Sequence, residues 1–144
     1  MTSWQEPESV RFMLEDCETW AVVGLSGDPS RTAYSIAALL QGRGKRIVPI
    51  HPDASREGGL RVLDEQAYPT LADVPFPVDV VDVFRRSQFA GEFADQAVAI
   101  GAKAVWFQLG VIDEAAFERT IAAGVPMVMD TCPAIEWRRH PIGR

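Results

Sequence analysis

Between Val23 and Thr32 the chain reads Val-Gly-Leu-Ser-Gly-Asp-Pro-Ser-Arg-Thr, gathering glycines, hydroxyls and an arginine where an apolar run gives way to a helix start. Gly24 and Gly27 allow the backbone to turn sharply and approach a ligand closely. Ser26, Ser30 and Thr32 supply hydroxyl donors beside the helix N-terminus. Unpaired N–H groups and the positive end of the helix dipole make such a corner an anion site. Arg31 just inside the helix, and Arg85-Arg86 later in the chain, add planar guanidinium forks that bond phosphate oxygens two at a time. These residues are equipped to hold a phosphate or diphosphate.

Groups able to make or break bonds are scarce: the chain has two histidines and two cysteines. His51 lies between Ile50 and Pro52 with no acid expected to orient its ring, and His140 sits in the basic tail Arg138-Arg139-His140. Both read as structural or rim residues rather than catalysts. Cys17 and Cys132 are far apart and outside any Cys-x-x-Cys spacing, which reads as reduced thiols of a cytoplasmic protein. No metal-ligand spacing is visible. The sequence therefore predicts a binding protein without its own catalytic centre.

Two common nucleotide signatures fail. A dinucleotide fingerprint requires glycine where Gly24, Ser26 and Pro29 stand, and an acid closing the second strand about 20 residues later. Only Gly24 fits; the second strand ends in Ile50-His51-Pro52, and Asp53 lies 29 positions beyond Gly24. Gly44-Lys45 is followed by Arg46 rather than a hydroxyl residue, so the triphosphate loop is missing too. A smaller glycine turn suited to a diphosphate remains.

The elements that must position this turn follow from the apolar pattern. Ala21–Val23, Arg46–Ile50, Val78–Phe84, Ala104–Gln108 and Pro126–Asp130 are short apolar runs, as expected of strands covered on both faces. Between them, Thr32–Gln41, Ser87–Ile100 and Asp113–Ala123 read as helices, the first with Ala33, Ile36, Ala37 and Leu40 on one face. Ser87 is expected to cap the second, and Gly101 and Gly124 to end the second and third. Ser55–Gly59 reads as an exposed loop, and Tyr68–Pro75 as a short helical turn between prolines. Asp79 and Asp82 interrupt the third strand and are expected at its start or against a neighbouring loop. Glu6, Glu8, Glu15, Asp16 and Glu18 read as the solvated face of an N-terminal helix, and Trp4, Phe12, Trp20, Trp106 and Phe107 as packing residues. The tail from Thr131 to Arg144 is expected to fold back over the sheet edge or fray, with Trp137 in exposed packing.

This alternation predicts an α/β protein: a doubly wound, parallel, five-stranded sheet in three α/β/α layers, of Rossmann-like type. Ligands of such sheets bind outside the carboxyl ends of the strands where the chain order reverses. At 144 residues the chain reads as one domain spanning 1–144. The net charge of −6 argues against nucleic-acid or anionic-membrane partners, so an anionic ligand must meet a local pocket. The acidic N-terminus does not read as a signal peptide, and no apolar run reaches the roughly 20 residues needed to span a bilayer.

Seven segments, Val22–Ser26, Arg31–Tyr34, Ile50–Pro52, Tyr68–Leu71, Val80–Arg85, Gly101–Val111 and Met129–Pro133, together resemble the stand-alone coenzyme A-binding domain proteins. These are similar to the nucleotide-binding domain of the succinyl-CoA synthetase α-subunit. The resemblance runs from about Val10 to Glu136 and implies a Rossmann-like fold holding coenzyme A or an acyl-CoA at the strand ends. It places Gly24, Leu25, Ser26, Arg31 and Thr32 at the pyrophosphate, and Pro49, His51 and Pro52 beside the adenosine. Phe84 and Arg85 would border the adenine or ribose phosphate. Gln108, Leu109, Gly110, Cys132 and Pro133 would line the path of the pantetheine arm, where the Cys132 thiol could face that of the coenzyme. His51 departs from the asparagine expected there. In the synthetases a phosphohistidine and a grasp-type partner perform the reaction, and both lie outside the segment that this chain resembles. The alternatives are a nicotinamide-dependent oxidoreductase and a CoA-ligase subunit that needs a partner.

Overall fold

Valine-rich runs bounded by glycine and proline fold into parallel strands because helices can cover both faces. The computed structural model describes residues 3–141. Its elements run α1 (Pro7–Arg11), a π-helical turn (Phe12–Asp16), β1 (Thr19–Val23), α2 (Thr32–Gly42), β2 (Arg46–Ile50), β3 (Arg61–Val62), β4 (Glu65–Gln66), β5 (Val80–Val83), α3 (Ser87–Ala99), β6 (Ala104–Phe107), α4 (Glu114–Ala122), β7 (Met127–Val128) and α5 (Pro133–Arg139). Five strands form one parallel sheet in the order β2-β1-β5-β6-β7. The expected α/β/α fold is present.

Side-chain alternation divides the core in two. Ala21, Val23, Val81, Val83, Val105 and Phe107 pack with Ala90, Ala94 and Ala97 of α3 and with Ala116 and Phe117 of α4. On the opposite face Trp20, Val22, Ile47, Trp106 and Val128 pack with α2, α5 and the N-terminal helical segment. There the rings of Trp20 and Trp106 lie 5.7 Å apart. Their indole N–H groups donate to Cys17 O and Thr131 O, so two large side chains are buried without orphaned donors.

Four expectations need correction. The tail does not simply fold back: Pro133 opens α5, whose Trp137 is only 5% exposed and joins the second core. Proline at N1 is preset for a helix start, and the apolar side of this short helix completes the layer over β6. Residues 142–144 of the expected tail lie outside the described residues. The Ser87 side chain does not cap α3; its Oγ accepts from Ile112 N and donates to Gly110 O, fastening the loop after β6. The antiparallel pair β3-β4 was not expected; Leu63 and Asp64 turn it at positive φ, without the Asn-Gly or Asp-Gly pattern that usually marks such a turn. Asp79 does precede β5 and accepts from Glu18 N and Thr19 N, but Asp82 sits inside the strand, fully buried.

Tyr68–Pro75 contains the expected short turn at Leu71–Asp73, and Tyr68 additionally bridges to Ile50 beside β2. Among the described residues no helix is long and apolar enough to cross a membrane.

Candidate functional site

The chain order reverses between β1 and β5, so the loops leaving those two strands diverge and open a crevice. Gly24 ends β1 there at φ +94°, and a Cβ on it would stand 2.8 Å from the Phe84 carbonyl oxygen. Only glycine lets the two strand ends come this close. Gly24 N donates to Ile50 O and Phe84 N to Val23 O, which ties three strand tips together. Seven residues on, Arg31 is the N-cap of α2, and no side chain accepts from the first turn. Tyr34 N turns back to Arg31 O, and the N–H groups of Thr32 and Ala33 remain as donors at the head of this 11-residue helix.

Three adjoining depressions follow the strand ends. The first, of about 520 Å³, is enclosed by Val23, Gly24, Arg31, Ile50, His51, Pro52, Asp53, Pro69, Phe84, Arg85, Arg86, Phe89 and Phe93. The second, of about 160 Å³, lies over Gly24, Arg31, Thr32, Ala33 and Phe84 at the head of α2. The third, of about 300 Å³, lies between Thr32, Phe84, Arg85, Gln108, Leu109, Val111 and Cys132. Shared walls at Gly24, Thr32, Phe84 and Arg85 make them one groove.

Of the residues expected at the site, Gly24, Arg31, Thr32, His51, Pro52, Phe84, Arg85, Gln108, Leu109 and Cys132 line this groove. Leu25, Pro49 and Pro133 are buried, and Ser26 and Gly110 line none of the three depressions. Gly110 N donates to Asp130 Oδ1, so its role is to hold the loop. The Ser30 hydroxyl donates to Asp28 and is not turned to the crevice as a free donor. Sequence reasoning missed Pro69, Phe89 and Phe93 as walls. Phe89 and Phe93 stand four apart on α3, a spacing that would have placed them on one face; the Arg85 guanidinium lies 5.8 and 5.6 Å from their ring centres.

Charge is arranged locally. His51 does have an acid beside it, contrary to expectation: Asp53 Oδ2 is 3.7 Å from Nδ1, which also accepts from Asp53 N. Asp28 titrates below its ordinary value because Ser30 donates to it from both side chain and backbone. Asp82 is pushed up to about 8 by complete burial, which the hydrogen bond from Gln108 Nε2 only partly offsets.

The thiols differ as well. Burial raises Cys17 to about 12, while Cys132 is partly exposed in the third depression. Alkylation of the folded protein at pH 8 is expected to label Cys132 and spare Cys17, read by peptide mass spectrometry. Equal labelling rates would show that the second core opens readily.

An open parallel sheet with a glycine-bent corner and an uncapped helix at its switch point defines a Rossmann-like α/β protein. Within that class the chain belongs to the CoA binding domain family, which matches residues 18–138. It is 30% identical over 123 residues to the uncharacterized protein YneT of Bacillus subtilis (strain 168), covering 85% of this chain and 87% of YneT. The structure of cell-free ID.343 from Thermus thermophilus superposes with a TM-score of 0.84 at 30% identity, over 94% of this chain and 98% of that one. The dinucleotide-forming acetyl-coenzyme A synthetase 1 of Ca. Korarchaeum cryptofilum matches with a TM-score of 0.63 at 26% identity, over 80% of this chain but 26% of the synthetase.

Proposed function

We propose that this protein binds coenzyme A or an acyl-CoA along the groove and has no catalytic centre of its own. The observation that carries the reading is the continuity of three depressions across the switch point, with cations in the first two. An adenine fits the first, between Pro52, Pro69 and the Phe89 and Phe93 rings, with Arg85 and Arg86 near a ribose phosphate. The pyrophosphate fits the second, over Gly24 and the open turn of α2 beside Arg31. The pantetheine arm fits the third, past Gln108 and Leu109 toward Cys132. In this reading the protein carries, buffers or senses the coenzyme in the cytoplasm, with neither nucleic acid nor membrane as partner.

Calorimetric titration with coenzyme A, its acetyl and succinyl esters, NAD and NADP tests the reading. Preference for a coenzyme A species supports it; preference for a nicotinamide nucleotide overturns it. Arg31→Ala and Arg85→Ala are each expected to weaken coenzyme A binding by about 1.5–3 kcal/mol, the range for a hydrogen bond to a charged group. Unchanged affinity in both would assign the arginines to the solvated rim.

The likeness to a quarter of a synthetase favours one second reading, a ligase subunit that works with a partner. Co-purification with a larger ATP-grasp-type protein, and coenzyme A ligation by the pair alone, would establish it.

A further inference from the structure

The Asp82–Gln108 pair has no evident place in the sheet's own stability. Asp82 stands in register between Val22 of β1 and Trp106 of β6, and its strand neighbours are Val80, Val81 and Val83. It is 0% exposed, and Oδ2 has no hydrogen-bond partner among the described residues. Native folds rarely leave such an atom orphaned, and an aliphatic side chain would suit the position better. Its one hydrogen-bond partner among the described residues is Gln108, whose Nε2 donates to Oδ1.

Gln108 is 3% exposed, and its backbone is fixed by N–H donation to Val83 O and by acceptance from Val111 N. A carboxamide whose nitrogen is held on one side must present its oxygen on the other. No donor among the described residues reaches Oε1, and Gln108 lines the third depression. Phe84, Leu109 and Val111 give the depression its apolar wall, and Thr32, Arg85 and Cys132 complete the lining. An acceptor in a mainly apolar depression discriminates for an N–H donor.

We propose that Asp82 is a positioning residue: it orients the Gln108 carboxamide so that Oε1 accepts from a secondary amide N–H of the ligand's arm in the third depression. The inference deepens the coenzyme A reading and rests on it, since the pantetheine arm carries secondary amides. Asp82 itself touches no ligand. The pair accounts for an acid that the fold would otherwise exclude.

The test compares coenzyme A with ADP, which has no arm, by calorimetry on wild type, Asp82→Leu, Asp82→Asn and Gln108→Leu. Asp82→Leu is expected to weaken coenzyme A about tenfold, the loss of one oriented hydrogen bond, while ADP affinity stays unchanged and the melting temperature rises. Asp82→Asn keeps an acceptor for Nε2 and restores most of the affinity, whereas Gln108→Leu reproduces the loss. Full coenzyme A affinity in Asp82→Leu or Gln108→Leu overturns the proposal and leaves the coenzyme reading standing. So does equal weakening of coenzyme A and ADP. Wild-type protein that ignores coenzyme A overturns both.

Discussion

Gly24→Val is expected to abolish coenzyme A binding and to lower folding stability by about 3–5 kcal/mol, the sum of left-handed backbone strain and a forced shift of packed backbone. Gly24 has φ +94°, and the atom that a Cβ would strike at 2.8 Å is the carbonyl oxygen of Phe84. Neither side has room to yield: Gly24 N is bonded to Ile50 O, and Phe84 N to Val23 O. Gly101 supplies the control, because its φ is +77° yet nothing lies within 4 Å of the point where its Cβ would stand. Gly101→Val carries only the backbone strain, roughly 1–2 kcal/mol. Urea denaturation of both variants separates the two contributions. If Gly24→Val proves no less stable than Gly101→Val, the strand tips are not locked and the crevice is not preformed.

The loops around the groove are braced by side chains rather than by secondary structure. Asp130, a non-glycine residue at φ +62°, donates its N–H to Phe107 O and accepts from Gly110 N through Oδ1. Gln5 Nε2 reaches Met129 O and Asp130 O, and Ser87 holds Ile112. Clamps of this kind hold Leu109 and Val111 beside Cys132, and preorganisation reduces what binding must spend on ordering loops.

The sheet is legible in the sequence because each central strand is a short apolar run closed by glycine, proline or a polar corner, and nothing else satisfies that pattern so simply. Gly24, Arg31 and Arg85 are legible as a phosphate corner for a similar reason: glycine and arginine state their roles locally. What escapes depends on contacts far apart in the chain. The β3-β4 turn uses Leu63-Asp64, a pair with no turn signature. Trp137 is buried only because α5 returns across the sheet onto the layer containing α2. Ser87 reads as a cap because it starts α3, yet Ile112, 25 residues on, takes its oxygen. Asp82 breaks the apolar rule of its strand, and such a break signals function more than a loop boundary.

The same carboxyl gives the protein an unusual pH dependence. Asp82 moves from an ordinary value of 3.8 to about 8 in the fold because burial penalises its charge. Between those values the folded protein retains a proton that the unfolded chain has released, so stability is full near pH 4 and falls as pH rises. Above about 8 the contribution is lost and the curve flattens. Each unit corresponds to about 1.4 kcal/mol, giving a decline on the order of 4 kcal/mol from pH 5 to pH 8. Asp28 and Asp79 are shifted the other way, Asp79 because N–H donors and Lys103 outweigh its burial, and their opposite slopes fall below this window. Asp82→Asn and Asp82→Leu are expected to hold a nearly constant urea midpoint from pH 5 to pH 9, and Asp82→Leu to exceed wild type most at the alkaline end. Parallel curves for wild type and both variants would place the proton elsewhere and remove the reason for treating Asp82 as a strained, uncharged acid at neutral pH.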